Sequence, residues 1–542
     1  MDMDLWTLKQ YHPRPQQVEI LDEISDALDS GYENIILEAG TGIGKSAIAT
    51  TVARMCNDSY ILTMTNQLQK QYLRDFNFLL TEIKGRNNYV CNYGGYCDKC
   101  QFAEHNKLAE QKYNLELKKW KIKFKKGLAK LYDQPVKPDY VSYCEDCEYI
   151  LALKSAQNSS SIITNYDYLF YAGNYAKQWS TRDLLVLDEA HNFEKKVMSL
   201  VSEELNRKVI FDRNGFDIFE SVAKGREPLK NINNQEYWIK IVEKCLELET
   251  NAMEYSVEES PKAEMYIQKY SRILKKFKQN DYIIDLPLRK EILEDKEKDN
   301  RLKVEFKPLS AAEHSDALLH FGQIRLFMTG TLGNKDKFCE WNTLNADDTY
   351  YIYAKSPFPV EHRPIIRQYV CSMRQEAWRN THILKYIERI LSNHQREKGV
   401  IHTSSNQQAW WIKKNLSSKR LGIAYGATRE QSIKEFEETP TNCVLIGAGL
   451  KDGVDFKGNK CRFQILFKVP YPSLGDEQVK IRRKLDPDWY AYQTVQPLQQ
   501  AYGRGIRDMD DYCKFYVLDE DFEHLLHEYG YFFNEYFLEA VQ

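Results

Sequence analysis

Residues 34 to 55 constrain the fold more than any other stretch: the apolar run NIILE is followed by AGTGIGKS and then by the helix-like AIATTVARM. Strand, glycine-rich turn and helix in immediate succession commit the chain to an α/β layer built on parallel strands. Gly40, Gly42 and Gly44 leave the backbone free to curl its N–H groups around a phosphate, and the helix N-terminus adds partial positive charge. Thr41 lies in the same turn, Lys45 is placed to reach β- and γ-phosphates, and Ser46 to ligate Mg²⁺. Ala39 stands where the general pattern has glycine, and it is small enough to fit the first turn.

Two further segments complete a nucleotide site. Residues 183 to 191 read DLLVLDEAH, a buried-strand run that delivers Asp188 and Glu189 at its carboxyl end, the edge where ligands approach parallel sheets. Asp188 is expected to hold the metal, and Glu189 to orient and deprotonate the water that attacks the γ-phosphate. Near the other end, QAYGRGIR carries Gln500, Arg504 and Arg507, with the two guanidiniums about one helical turn apart. Arginine set across a cleft from a bound nucleotide stabilises charge on the transferring phosphoryl group. Each segment alone has a plain structural reading as a tight loop, a solvated strand end or an exposed helix; in this order they support one another.

A chain of 542 residues exceeds a single core, so two or more domains are expected. With 43% hydrophobic and 28% charged residues it is a folded chain rather than a disordered one. A formal net charge of -3 excludes a uniformly basic coat, so contacts with a phosphate backbone must come from local patches. No apolar run reaches the roughly 18 residues of a membrane span, and no secretory signal pattern is present. A cytoplasmic protein without membrane contact is expected, nuclear only in a eukaryote.

The chain has 12 cysteines, which in such a setting read as reduced thiols or metal ligands. Cys56, Cys245, Cys339, Cys371, Cys443, Cys461 and Cys513 are scattered and read as packed thiols. The others fall in one insert, GRNNYVCNYGGYCDKC followed by YCEDCEYILAL. The pairs Cys97/Cys100 and Cys144/Cys147 suit a tetrahedral zinc site, and four thiolates suit an iron–sulfur cube equally well. Between them runs a lysine-rich stretch in which Leu115, Trp120, Phe124 and Leu128 recur with helical spacing. Lys119, Lys121, Lys123, Lys125 and Lys126 read either as a solvated face or, beside aromatic rings, as a track for phosphates.

Taken together, these residues resemble the XPD/DinG-type superfamily 2 iron–sulfur DNA helicases from about Tyr11 to about Phe522. Arg14 and Gln17 in YHPRPQQ look like the family's adenine-side motif; TMTNQLQKQ, with Thr65 and Asn66, looks like its first DNA-contact segment. MTGTL at 328–332 resembles the motif that couples hydrolysis to DNA grip. SPFP at 356–359, GVIHTSS at 399–405 and GLKDGVDF at 449–456 resemble second-domain motifs, which would put Gly453 and Asp455 at the interdomain cleft and Asp455 on the nucleotide. The resemblance implies a [4Fe–4S] cluster on Cys91, Cys97, Cys100 and Cys147, with Cys144 as the alternative ligand and Zn²⁺ as the alternative metal. Cys513 and Asp521 stand where the family often has glycine and a final arginine, which bears on how the last strand is braced.

The fold class expected is α/β with two RecA-like parallel-sheet motor domains. The first would span 1–84, 155–205 and 305–340, interrupted by an iron–sulfur insert at 85–154 and a mostly helical arch at 206–304; the second would span 341–542. The activity implied is ATP-dependent, Mg²⁺-requiring translocation on single-stranded DNA, 5′ to 3′, by a monomer that unwinds duplex or forked DNA in repair or replication. Remodelling of protein–DNA complexes or DNA–RNA hybrids is the alternative job. An ATP-regulated nucleic-acid clamp that does not unwind is the rival outside the enzymes.

Overall fold

The structure, a computed structural model, describes Trp6 and residues 12–40, 42–91, 95–97, 113, 116–117, 135–136, 147–255, 260–279, 282–295, 302–440, 442–450 and 458–542. The chain divides into two compact units, Met1–Leu80 with Ser160–Val197 and Ala311–Gln542, and Thr81–Ser159 with Met198–Ser310.

The first unit is built on two parallel sheets. One has the strands Thr349–Ala354, Asn34–Ala39, Gly322–Thr329, Arg182–Asp188, Ser59–Thr63 and Ser161–Asn165 side by side in that order. Its central strands are covered along their whole length, Asn34–Ala39 and Ser59–Thr63 being buried at every position, because helices cover both faces. The second sheet runs Ile365–Cys371, Lys514–Asp519, Phe463–Leu466, Gly399–Thr403, Val444–Ala448, Leu421–Ile423, again all parallel. These two α/β layers are the RecA-like pair the sequence called for. The expected boundary at 340/341 is displaced: Thr349–Ala354 pairs with Asn34–Ala39, so the first sheet claims it. Only half of its residues are buried, as befits an edge strand, and it lacks the continuous buried run that marked the others.

The helices that link the sheets are fastened by buried polar contacts. In Phe193–Val201, Glu194 pairs with Arg482 and accepts from Trp489 Nε1 at 2.8 Å. Asp486 caps the helix Pro487–Tyr502 by accepting from Trp489 N at 3.0 Å, and its other carboxylate oxygen accepts from Trp341 Nε1 at 2.7 Å.

In the second unit, Glu203–Asn206 and Tyr282–Asp285 flank Lys303–Pro308 in an antiparallel sheet. The helices Gln235–Tyr255 and Ser260–Gln279 pack on it through Trp238, Val242, Cys245, Ile273 and Phe277. The segment expected to be mostly helical is thus closed by a small sheet, in which the outgoing and returning chain pair with each other. The helix Glu148–Gln157 lies in the same unit, with Cys147 at its N-cap.

Candidate functional site

Parallel register assembles the site. Glu38 lies opposite Thr329 and Asp188 opposite Met328, so the turn 39–46, the DEAH residues and the MTGTL segment open at the same sheet edge. Residues some 140 positions apart in sequence become neighbours only because three adjacent strands end at one level.

The glycine-rich turn takes the backbone its glycines permit: Gly42 and Gly44 have φ of 91° and 89°, and Gly44 caps the helix Lys45–Met55. A Cβ on Gly42 would lie 2.4 Å from Phe358 Cζ, so the second-domain segment SPFP closes on the loop here. Gln17 Nε2 donates to the Ile43 carbonyl at 2.7 Å and an Arg14 terminal nitrogen to the same oxygen at 3.2 Å. The two residues read as the adenine-side motif therefore rest on the loop itself. Gly40 approaches Ser356 closely: a Cβ on Gly40 would lie 3.0 Å from Ser356 Cβ. Lys45 Nζ folds back to donate to the Ala39 carbonyl at 2.8 Å. Burial pushes its ammonium down, and the Glu189 and Asp188 carboxylates pull it back up. Ser46 lies in the first turn of the helix; Thr41 and Asp455 fall outside the described residues, as does Gly453.

Asp188 is buried. Its Oδ2 accepts from the Tyr72 hydroxyl at 3.1 Å, its Oδ1 from the Glu189 N–H at 3.0 Å, and its carbonyl from the Tyr166 hydroxyl at 3.0 Å. Burial and then the neighbouring Glu189 charge push its carboxyl up to about 7. A carboxylate so destabilised, with Lys45 and Glu189 acting on it, suits a divalent cation, which would remove that cost. Glu189 sits at φ 55°, a left-handed conformation rare for a side-chain-bearing residue, that turns it off the strand end. Burial pushes Glu189 up, but His191, Lys45, Arg504 and Arg507 outweigh it and hold the carboxylate below its ordinary range. An ionised base at the site follows.

A chain of hydrogen bonds runs from here to the second motor domain. His191 Nδ1 lies 3.0 Å from Thr329 Oγ1, which accepts from Thr331 N at 3.1 Å. The Thr331 hydroxyl donates to Gln496 Oε1 at 2.8 Å and accepts from Gln500 Nε2 at 2.6 Å. Gln500, expected among the catalytic groups, is thus seated on Thr331. The expected helical spacing of the arginines gives way to a turn: the helix ends at Tyr502, and Gly505 packs so closely that its Cβ would lie 2.4 Å from Cys513 Sγ. Arg504 and Arg507 nonetheless bear on both Lys45 and Glu189. The last strand is braced without the family's arginine: Asp519 accepts from Val469 N at 2.9 Å and Met373 N at 3.0 Å, and Asp521 from Arg374 Nε at 2.8 Å.

Thr65 is exposed and caps the helix Asn66–Phe76, accepting from Leu68 N at 3.3 Å, while Asn66 Oδ1 accepts from Asn165 at 3.2 Å. In the other unit Cys97 and Cys147 are buried, and Cys97 N donates to the Tyr89 carbonyl at 3.0 Å. Burial, then the Cys147 thiol hydrogen-bonded to it, push the Cys97 thiol up to about 11, with Cys91 adding to the effect. Cys91 and Cys147 thus both bear on Cys97, and all three are among the cysteines expected as ligands. Cys100, Cys144, Lys119, Lys121, Lys123, Lys125 and Lys126 lie outside the described residues, and no metal-binding group is found among the described ones. Phe358 lies in the SPFP segment that the sequence reading named without singling it out; Tyr72, Tyr166 and Gln496 escaped that reading. Only Gln496, one helical turn before Gln500, had a signal.

Fold and site together are of the RecA-like class, two parallel α/β sheets with a glycine-rich turn and an acidic pair brought to one sheet edge. Residues 10–212 match the family model for the type III restriction enzyme res subunit, and residues 384–536 match the helicase C-terminal domain model. A probable ATP-dependent helicase of Methanocaldococcus jannaschii is 21% identical, over 93% of this chain and 91% of that one. An ATP-dependent DNA helicase of Candida glabrata is 25% identical over 95 residues, 14% of this chain and 11% of that one. A solved XPD helicase superposes with a TM-score of 0.60 at 16% identity, covering 95% of this chain and 97% of that one. The chain has the fold of the XPD helicases, and the resemblance to XPD/DinG-type superfamily 2 helicases holds. Among the described residues no helix is long and apolar enough to cross a membrane.

Proposed function

We propose that this chain is an ATP-dependent DNA helicase that translocates on single-stranded DNA, 5′ to 3′, and parts duplex or forked DNA in repair or replication. The observation that carries the reading is the meeting at one sheet edge of the glycine-rich turn, the Asp188–Glu189 pair and the Thr329–Thr331 segment, on which Gln496 and Gln500 are seated. With ATP on the loop, Glu189 takes a proton from water as the water oxygen attacks the γ-phosphorus. The bond to the bridging oxygen breaks, and ADP leaves with the electron pair. Lys45, Arg504 and Arg507 neutralise charge on the phosphoryl oxygens. Ser46 and Asp188 would hold Mg²⁺, which adds further neutralisation of the phosphates when bound. The chain of hydrogen bonds through Thr329 and Thr331 ties loss of the γ-phosphate to the clasp between motor domains, and hence to the grip on DNA. A base and two arginines acting on the same lysine favour this cycle over a clamp that binds ATP without turning it over.

Cys91, Cys97, Cys100 and Cys147 would hold a [4Fe–4S] cluster, with Cys144 as the alternative ligand and zinc as the alternative metal. When bound, such a group cross-links the insert at 85–154 into a rigid wedge. Lys119, Lys121, Lys123, Lys125 and Lys126 would track phosphates, Thr65 and Asn66 would touch the strand in the first domain, and the segment 206–304 would arch over it.

Lys45→Ala should abolish DNA-stimulated ATP hydrolysis, and Glu189→Gln should slow it roughly 10²- to 10⁴-fold while ATP still binds. Undiminished turnover in either variant would sink the assignment. Displacement assays on 5′- and 3′-tailed duplexes and on DNA–RNA hybrids test polarity and substrate. Brown protein with iron and sulfide after anaerobic purification is expected; colourless protein with stoichiometric zinc overturns the cluster.

A further inference from the structure

The second motor domain carries an aromatic, cationic groove that the hydrolysis site does not use. It lies between the helix Asn406–Asn415 and the turn Ala377–Arg379 and encloses about 690 Å³. Trp378 and Trp411 form its anchored wall, their rings edge-on at 5.7 Å, with Trp378 only 5% exposed. Trp410 is different. Adjacent positions on a helix point about 100° apart, and with Ala409 and Ile412 packed inward, Trp410 is left 51% exposed. Its ring meets Tyr425, itself 46% exposed, at 6.0 Å. A half-exposed indole contributes little to the core, while it offers a flat π-face to a ligand.

The charged side chains that line that face are cationic. Arg379, Lys413 and Lys414 line the groove and no carboxylate does. The Arg379 guanidinium lies 5.1 Å from the Trp378 ring, with Glu376 as its ion-pair partner outside the lining. Gln407, Trp410 and Lys414 recur at helical spacing, so ring, amide and ammonium share one face. The helix starts just beyond the carboxyl end of Gly399–Thr403, the edge where parallel sheets receive ligands.

We propose that this groove binds single-stranded DNA, with a base stacked on Trp410 and a phosphate met by Lys414, beside Arg379; the Lys413 ammonium is held by the Leu421 carbonyl. A phosphate suits the Lys414 ammonium, and a π-face accepts any base, so the interaction is tolerant of sequence, as a translocating motor requires. The inference rests on the DNA-motor reading and adds to it a holding point on the second motor domain outside the ATP site.

The test uses the full chain, nucleotide-free, with fluorescently labelled oligo(dT) read by anisotropy. Trp410→Ala should weaken binding roughly 5- to 150-fold, the range that loss of one base–aromatic stack gives. Trp410→Phe, which keeps a ring, should recover most of the affinity. Lys414→Glu should weaken binding and lower the slope of log affinity against log salt by about 0.7 for each phosphate no longer neutralised. DNA-independent ATP hydrolysis and the melting temperature should stay at wild-type values in all three. Wild-type affinity in Trp410→Ala, in a chain whose ATPase is DNA-stimulated, overturns the groove alone and leaves an acidic protein segment as its occupant. A wild-type chain that neither binds oligo(dT) nor responds to DNA overturns the motor reading itself.

Discussion

Thr331→Val removes one hydroxyl from the clasp between the motor domains and leaves its shape unchanged. The hydroxyl donates to Gln496 Oε1 at 2.8 Å and accepts from Gln500 Nε2 at 2.6 Å. Gln496 is buried, so its oxygen would be stranded at a cost of about 1 to 3 kcal/mol, whereas the half-buried Gln500 regains water and loses nearer 0.5 to 1.5 kcal/mol. Gln496 keeps its bond to the Leu332 carbonyl at 3.3 Å, which limits the damage to this one hydroxyl. Because the clasp sets Arg504 and Arg507 against the phosphate loop, about 2 kcal/mol removed from it should lower kcat/KM for ATP roughly 30-fold in the presence of DNA. Thr331→Ser should restore most of the activity. Gln500→Ala added to Thr331→Val should cost less than the sum of the two, since both remove the same bond. Steady-state phosphate release under saturating DNA reads all four proteins. Additive losses, or a valine variant indistinguishable from wild type, would refute the coupling.

Two other outcomes test the packing. Glu194→Ala should destabilise the motor unit by about 3 to 5 kcal/mol, because it removes the carboxylate that the buried Arg482 guanidinium and the Trp489 N–H share; thermal melts should show the drop, and pairing it with Arg482→Met should recover most of it. His402 bonds through Nε2 to Gln464 Oε1 at 2.7 Å, and burial pushes its imidazole down to about 4, well below the roughly 6.5 of an unfolded chain. The folded state binds the proton less readily, so this contribution is complete above about pH 6.5 and falls by up to about 3 kcal/mol as pH drops toward 4. His402→Gln should flatten the stability profile in that window; an unchanged acid slope would refute the assignment.

The glycine-rich turn, the DEAH residues and the RecA-like layers were legible in the sequence because each is a local pattern: an apolar strand, a polar carboxyl end and a helix start within about ten residues. The arginines were legible as residue types, but their backbone was not, since Gly503 and Gly505 end the helix that the spacing suggested. The boundary after the first motor domain was missed because the edge strand Thr349–Ala354 is only half covered and lacks a continuous apolar run. The groove around Trp410 left only adjacent tryptophans as a trace, and whether such a ring is buried depends on what lies against it.

The sequence by itself determined the chemistry available: which phosphate-binding turn, which carboxylates, which guanidiniums and which thiols the chain possesses. Tertiary structure alone decided who meets whom. Parallel register across three strands puts Glu38, Asp188 and Thr329 at one edge, and the packing of Pro487–Tyr502 brings Gln496 and Gln500 onto Thr331. Side-chain periodicity is written in the order of residues, whereas strand order and register follow from how the whole core buries its apolar surface.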